Sequence, residues 1–162
     1  IPLGKFEIFH GLNAQEIEAL ERCAQRHVYD AGDLVFGADS TGHELMLISR
    51  GEVKVSLPLA NGKTIHLTTF SRGQFFGEMS LLTGEQRQAT VRSVCEVWLA
   101  EITREMLEPL LRANPELLEK ISTVLATRRE RSEQLARNSG GIQGRTGVRD
   151  DYLQRLRNFF RL

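Results

Sequence analysis

The sequence has few of the residues that build disulfide-rich or metal-bound domains. It contains two cysteines in 162 residues, Cys23 and Cys95, each with apolar neighbours. This count excludes a disulfide framework or a four-cysteine zinc site, and we expect both thiols to be reduced and buried in the core. The four histidines lack the close spacing and downstream carboxylate of a metal-bearing barrel, so we predict no metal and no cofactor.

Net charge and long hydrophobic runs are also missing. The 21 acidic and 21 basic side chains balance, so the composition does not indicate a nucleic-acid partner. No run reaches the roughly 18 apolar residues of a membrane span, and no basic and apolar leader opens the chain. The chain starts at Ile1 without a Met, from which we expect either a processed product or a piece of a longer protein.

What is present is a change of hydrophobic period along the chain. The segment 13–27 has one apolar face at helical spacing, and Asn13 and Glu16 are spaced as a capping box. From about residue 28 the period changes to two, in short stretches bounded by glycine or Asx residues. Short strands at this spacing predict a sandwich or barrel.

Two dipeptides predict tight turns between these strands. Arg50-Gly51 and Asn61-Gly62 each lie between apolar runs, and their glycines can supply the positive φ of a hairpin turn. We interpret the aromatic residues in strand-like apolar stretches as core residues: Phe36, Phe70, Phe75, Phe76 and Trp98.

Helical spacing resumes near the C-terminus. Thr103 is a predicted N-cap, and Pro115 is expected to break or restart the helix. The chain length fits one domain with a short appendage. We therefore predict a folded domain over 1–137, a glycine-rich linker over 138–147 and a short, basic, amphipathic tail helix over 148–162.

The stretch F-F-G-E-M-S-L-L-T-G-E-Q-R-Q-A-T-V, from Phe75 to Val91, interrupts the strand pattern. Gly77 permits close approach of a ligand, and a helix start after it offers free backbone amides to an anion. Arg87 can donate charge-assisted hydrogen bonds to phosphate, whereas Glu78 suits a ribose hydroxyl. These residues indicate a nucleotide site; the competing interpretation is an exposed ion pair worth ~0 to 1 kcal/mol.

The same residues resemble the phosphate-binding cassette of the cyclic nucleotide-binding domain family, approximately F-G-E-x-x-L-L, a short turn and P-R-x-A-T-V. The matching positions are Phe76, Gly77, Glu78, Leu81, Leu82, Arg87, Ala89, Thr90 and Val91. The resemblance extends from about Phe6 to Asn138. It implies a mainly β fold with flanking helices: an antiparallel double-stranded β-helix, or jelly-roll-like β-roll, with an N-terminal helix and two C-terminal helices, the last a lid.

The resemblance also assigns ligand contacts. In that family the glutamate takes the ribose 2′-hydroxyl, the arginine takes the exocyclic phosphate oxygens, and amides at the helix start assist. The lid contact is expected on the face near Arg128, Ser132 and Leu135. The implied ligand-binding set is Gly77, Glu78, Met79, Ser80, Arg87, Gln88, Ala89 and Ser132.

Two positions depart from the family pattern. Gln86 replaces the usual proline before the arginine, and Gln88 replaces the small residue that follows it. Gln88 leaves the choice between cAMP and cGMP open. It can crowd the pocket, hydrogen-bond the phosphate or point into solvent.

We therefore expect a non-catalytic cyclic nucleotide sensor, since no activated nucleophile, acid–base pair or metal cluster indicates an enzyme. The residue pattern of the cassette and of L-A-T-R-R is similar to that in bacterial channels and transporters. This resemblance implies a cytoplasmic regulatory domain attached to a membrane protein. A helix-turn-helix unit would need more residues than follow Asn138. The alternative is a module that kept the fold, lost the ligand and dimerises through its terminal helices.

Overall fold

The structure is a computed structural model, and it describes residues 2–38, 40–59, 61–78, 80, 84, 86, 87 and 89–138. Within 121–138 the side chains of 125, 128, 129 and 131–138 lie outside this description. The predicted tail and all but the first residue of the predicted linker also lie outside the described residues.

Helices at both ends flank the strands of the described residues. Two short 3₁₀ helices come first, Leu3–Lys5 and Glu7–Phe9, followed by α1 (Ala14–Cys23). The strands are β1 (Gln25–Tyr29), β2 (Leu34–Phe36), β3 (Leu45–Arg50), β4 (Glu52–Pro58), β5 (Thr64–Ser71), β6 (Phe75–Phe76), β7 (Thr90–Ser93) and β8 (Val97–Ile102). Two helices follow, α2 (Arg104–Ala113) and α3 (Pro115–Asn138).

The helix boundaries agree with the signals in the sequence. Asn13 caps α1, and its side chain and that of Glu16 form the reciprocal capping box. Thr103 occupies the N-cap position of α2. Pro115 opens α3 directly after the cap residue Asn114, because proline tolerates the first turn of a helix.

The strands form two four-stranded sheets, ordered β1-β8-β3-β6 and β2-β7-β4-β5. Every pairing in both sheets is antiparallel. Consecutive strands alternate between sheets at several points, as in a rolled structure whose chain crosses from one layer to the other. The predicted β-roll with flanking helices is confirmed.

One of the two predicted hairpins is confirmed and the other is wrong. Asn61-Gly62 connects β4 to β5, with Leu57 opposite Ile65. Arg50-Gly51 connects β3 to β4, but those strands belong to different sheets. Gly51 does have the positive φ of a turn, at +88°. A local turn signal carries no information about which partner each strand will pair with.

Strands β3 and β8 contribute side chains to two cores, one on each face of their sheet. On one face Leu45, Leu47, Ala100 and Ile102 pack against the helices. On the other face the interior of the roll is filled by Met46, Ile48, Val53, Val55, Phe76, Val91, Val97 and Leu99. The loops that carry the cassette begin and end at strands lining this second core.

Three residues predicted to be in the core are exposed. Cys23 and Cys95 are free and exposed, because Cys23 ends α1 on its solvent side and Cys95 lies in the turn between β7 and β8. The side chain of Trp98 points away from Val97 and Leu99, and the residue is 46 % exposed. No helix in the described part of the chain is long and apolar enough to span a membrane.

Candidate functional site

Arg87 is the buried cation at the end of the cassette. Its side chain is 3 % exposed. Its backbone amide donates to the carbonyl of Ser40 at 3.1 Å, which ties the cassette to the loop that precedes β3. The cation is therefore fixed between two chain segments that are far apart in sequence.

Backbone oxygens, a carboxylate and an aromatic ring surround the guanidinium. Nη1 donates to the carbonyl of Gly77 at 3.1 Å. Nη2 donates to the carbonyl of Glu44 at 3.1 Å and to its Oε2 at 3.2 Å. The guanidinium carbon lies 4.0 Å from the ring centroid of Phe36, a cation–π distance. Nε is buried and has no hydrogen-bond partner among the described residues.

The electrostatic environment of Arg87 is mixed. Burial lowers the pKa of the guanidinium below its ordinary value, and the charges of Glu44 and Glu78 oppose that decrease. Arginine starts from so high a pKa that it remains charged at neutral pH. A buried charge needs hydrogen bonds and a counter-charge to be stable, and the site supplies both.

Two glycines allow the backbone to approach the guanidinium this closely. Gly77 has a φ of +87°, and a Cβ there would lie 2.6 Å from the Glu44 carbonyl oxygen and 2.8 Å from Nη1 of Arg87. A Cβ at Gly42 would lie 3.1 Å from Nη2 of Arg87. A residue other than glycine is therefore excluded at position 77, because its backbone φ is positive and because a Cβ would overlap the neighbouring atoms.

The described backbone directly after Gly77 is helical, as the sequence predicts. Glu78 and Ser80 have helical backbone, and the amide of Gly84 donates to the Ser80 carbonyl at 3.1 Å. Both residues are 3 % exposed. Since Glu78 and Arg87 are both buried, the interpretation of an exposed surface ion pair does not fit this structure.

The predicted ligand-binding residues fall into two groups. Gly77, Glu78 and Arg87 lie together, Ser80 is on the same turn, and Ala89 packs against the interior core. The other members lie outside the described residues or side chains: Met79, Gln88 and Ser132. Gln86, which replaces the family's proline, is exposed and so does not block the guanidinium.

Sequence reasoning missed three residues of the site: Phe36, Gly42 and Glu44. Phe36 was interpreted only as core, although it also contacts the Arg87 guanidinium. Glu44 precedes β3 and is 43 residues from its partner. No spacing rule links positions so far apart, and an acid at the start of an apolar strand is the only signal that the sequence offers.

A separate cavity of about 430 Å³ lies away from the cassette, where the second 3₁₀ helix meets the junction of α2 and α3. It contains none of the predicted ligand-binding residues. Its lining residues are Ile8, Gly11, Leu12, Ala113, Asn114, Pro115, Glu116, Leu117 and Lys120. In the described part of the chain, no group of three histidine, cysteine or acidic side chains is placed to hold a metal ion.

Comparison with known proteins agrees with this fold. The profile of the cyclic nucleotide-binding domain matches residues 26–114. The cyclic AMP receptor protein of Thermus thermophilus is 31 % identical over 121 residues, 75 % of this chain and 56 % of that protein. A putative potassium channel protein of Rhodopseudomonas palustris is 28 % identical over 134 residues, 82 % of this chain and 32 % of that protein.

Comparison with solved structures supports the same fold. The crystal structure of the Thermus thermophilus catabolite activator protein has a TM-score of 0.69 at 32 % identity, covering 82 % of this chain and 62 % of that one. The chain belongs to the cyclic nucleotide-binding domain family. It spans about half the length of the transcriptional regulators that it matches.

Proposed function

We propose that this domain is a non-catalytic sensor of a cyclic nucleotide, cAMP or cGMP. The observation that carries the proposal is the buried guanidinium of Arg87, whose Nε has no partner among the described residues. A cyclic phosphodiester bears one negative charge and accepts hydrogen bonds, so it matches a cation held in a sheltered position.

Glu78 is proposed to accept a hydrogen bond from the ribose 2′-hydroxyl. Its carboxylate is buried on the helical turn that starts the cassette, and a carboxylate binds a hydroxyl donor well. The amides of Gly77, Met79 and Ser80 are proposed to add contacts to the phosphate, with Ala89 lining the pocket.

The output of the sensor is proposed to be a movement of the C-terminal helices. A ligand shifts a conformational equilibrium only by its difference in affinity between the two states. Moving the population from mostly open to mostly closed takes about 5.5 kcal/mol of such difference. Hydrogen exchange of the α3 amides with and without nucleotide measures this coupling.

The unit controlled by the sensor is proposed to be a membrane channel or transporter, with this domain in the cytoplasm. Potassium channel proteins of Rhodopseudomonas palustris and Rhizobium etli match 82 % and 75 % of this chain. A second candidate is a transcriptional regulator, favoured by the cAMP-activated global transcriptional regulator of Haemophilus influenzae at 33 % identity. The sequence of the longer protein tests this choice: membrane spans support the first and a helix-turn-helix unit the second.

Calorimetric titration with cAMP and cGMP separately is the test of the sensor, with Arg87→Leu as the control. We expect heat of binding from at least one nucleotide and none from the variant. If well-folded protein gives no heat with either nucleotide, the alternative of a ligand-free module that dimerises is favoured instead. Turnover of the nucleotide in a product assay would contradict the non-catalytic assignment.

A further inference from the structure

The carboxylate of Glu44 occupies a hydrogen-bonding position on the guanidinium that a phosphate needs. Its Oε2 lies 3.2 Å from Nη2 of Arg87. Nη2 and Nε form one edge of the guanidinium, and that edge is the geometry in which arginine binds phosphate or carboxylate with two parallel hydrogen bonds. In this structure one half of the edge is taken by Glu44, whereas the other half, Nε, has no partner among the described residues.

The local charge balance also opposes an incoming anion. Glu44, Glu78 and Glu101 all lie close enough for their charges to raise the pKa of Arg87. Of these carboxylates, Glu44 contacts the guanidinium directly, whereas Glu101 Oε2 lies 2.6 Å from Nε2 of His27. A cyclic phosphate adds a further negative charge, and like charges at close range repel. The repulsion falls if the carboxylate nearest the guanidinium moves away.

The Glu44 carboxylate has room to move into solvent, whereas the Arg87 guanidinium is enclosed by the protein. The Glu44 side chain is 37 % exposed, whereas the Arg87 side chain is 3 % exposed. If the carboxylate rotates into solvent, the guanidinium keeps its hydrogen bonds to the carbonyls of Gly77 and Glu44 and its contact with Phe36. The receptor for the phosphate thus stays in place when its internal counter-ion is displaced.

We propose that Glu44 is an internal competitor of the ligand phosphate, and that displacing its carboxylate from Arg87 sets the affinity for the nucleotide. This inference rests on the proposed function of the site. It differs from a purely positioning role, in which the carboxylate holds Arg87 in the orientation that binds phosphate. The two roles predict effects of opposite sign when the charge is removed.

The test is calorimetric titration of the Glu44→Gln variant, because glutamine keeps the size of the side chain and removes its charge. We expect about tenfold tighter binding of the nucleotide than in the parent, since the phosphate no longer displaces an ion-pair partner. Glu44→Ala serves as a second variant, with tighter binding also expected. Glu96→Gln, which removes a carboxylate beside the exposed Arg50, is the matched control with unchanged affinity expected.

The outcomes separate this inference from the function on which it rests. Weaker binding in both Glu44 variants, with a folded parent that binds nucleotide, overturns the competitor role and leaves the sensor intact. Binding by the variants but not by the parent supports competition in its strongest form. Absence of binding in the parent and in all folded variants overturns both proposals.

Discussion

Two sites in this molecule combine an arginine, an aromatic ring and a glutamate, one inside the roll and one on its surface. Inside, Arg87 lies over Phe36 at 4.0 Å and contacts Glu44 at 3.2 Å. On the surface, Arg50 lies over Trp98 at 5.8 Å, with Glu96 at 3.7 Å. The side-chain exposures of the two arginines are 3 % and 68 %.

The same three groups have different consequences because their surroundings differ. At the surface, water screens the charges and the ion pair contributes little. Inside, Arg87 is held by backbone carbonyls that Gly77 brings close. Loss of the Glu44 charge would leave the buried Arg87 cation with only its carbonyl hydrogen bonds and its contact with Phe36. The candidate site thus differs from the surface cluster in its burial and its backbone contacts and not in its residue types.

The largest effect is expected from comparing Arg87→Leu with Arg50→Leu in nucleotide binding. Removing the buried cation should weaken binding about a thousandfold, or ~4 kcal/mol, because a buried charge partner is lost. Removing the exposed cation should change affinity less than about twofold. Calorimetry measures both, with circular dichroism as a check of folding. Equal effects in the two variants would contradict the distinction.

The next largest effect concerns the glycine cradle. Gly77→Ala should lower the free energy of unfolding by about 3 kcal/mol, because strained backbone adds to steric overlap. Gly73→Ala is the matched control, since Gly73 has a φ of +90° but a Cβ there would meet nothing within 4 Å. Its cost should be about 1 kcal/mol. Urea unfolding measures both, and similar costs would show that the close approach to Arg87 is unimportant.

A smaller effect is expected from the aromatic partners. Phe36→Leu should cost about 1.5 kcal/mol, since it removes ring burial, the cation–π contact and the packing on Phe76 at 5.5 Å. Trp98→Leu should cost about 0.5 kcal/mol, because that ring is half exposed. Thermal or urea unfolding compares the two. A larger cost at Trp98 would mean that the exposed ring has a structural role.

The smallest effect is expected from the exposed carboxylate. Glu96→Gln should change the free energy of unfolding by about 0.5 kcal/mol or less, because the ion pair with Arg50 is exposed and screened. The change should decrease further at about 1 M salt. Urea unfolding at low and high salt measures it. A change of several kcal/mol that salt leaves untouched would show that exposure is a poor guide to energy here.

The sequence predicted the elements whose signals are local. The capping box of α1, the restart at Pro115 and the Asn61-Gly62 hairpin each depend on residues a few positions apart. The error at Arg50-Gly51 arose because strand pairing is decided by contacts across the whole roll. The exposure of Trp98 also depends on contacts across the whole roll. The alternation of apolar residues shows which side chains share one face of a strand, but it does not show whether another element packs on that face.

In the candidate site, too, the local part could be predicted from the sequence and the long-range contacts could not. The cassette from Gly77 to Arg87 is one continuous stretch, so its acid, its base and its glycine could be found from their order. Phe36, Gly42 and Glu44 join it only through folding. Because these residues are far from the cassette along the chain, the sequence does not show that Glu44 is the counter-ion of Arg87. The cation therefore already has an ion-pair partner in the structure.

The most direct test of the account is to observe the Arg87 guanidinium while ligand is added. Its Nε–H resonance can be assigned by comparison with Arg87→Lys and followed by NMR during titration with cAMP or cGMP, with adenosine or guanosine as the control that lacks phosphate. We predict that the nucleotide shifts this resonance at saturation and that the nucleoside does not. Saturable nucleotide binding that leaves the Nε–H resonance unmoved would contradict the claim that Arg87 receives the phosphate.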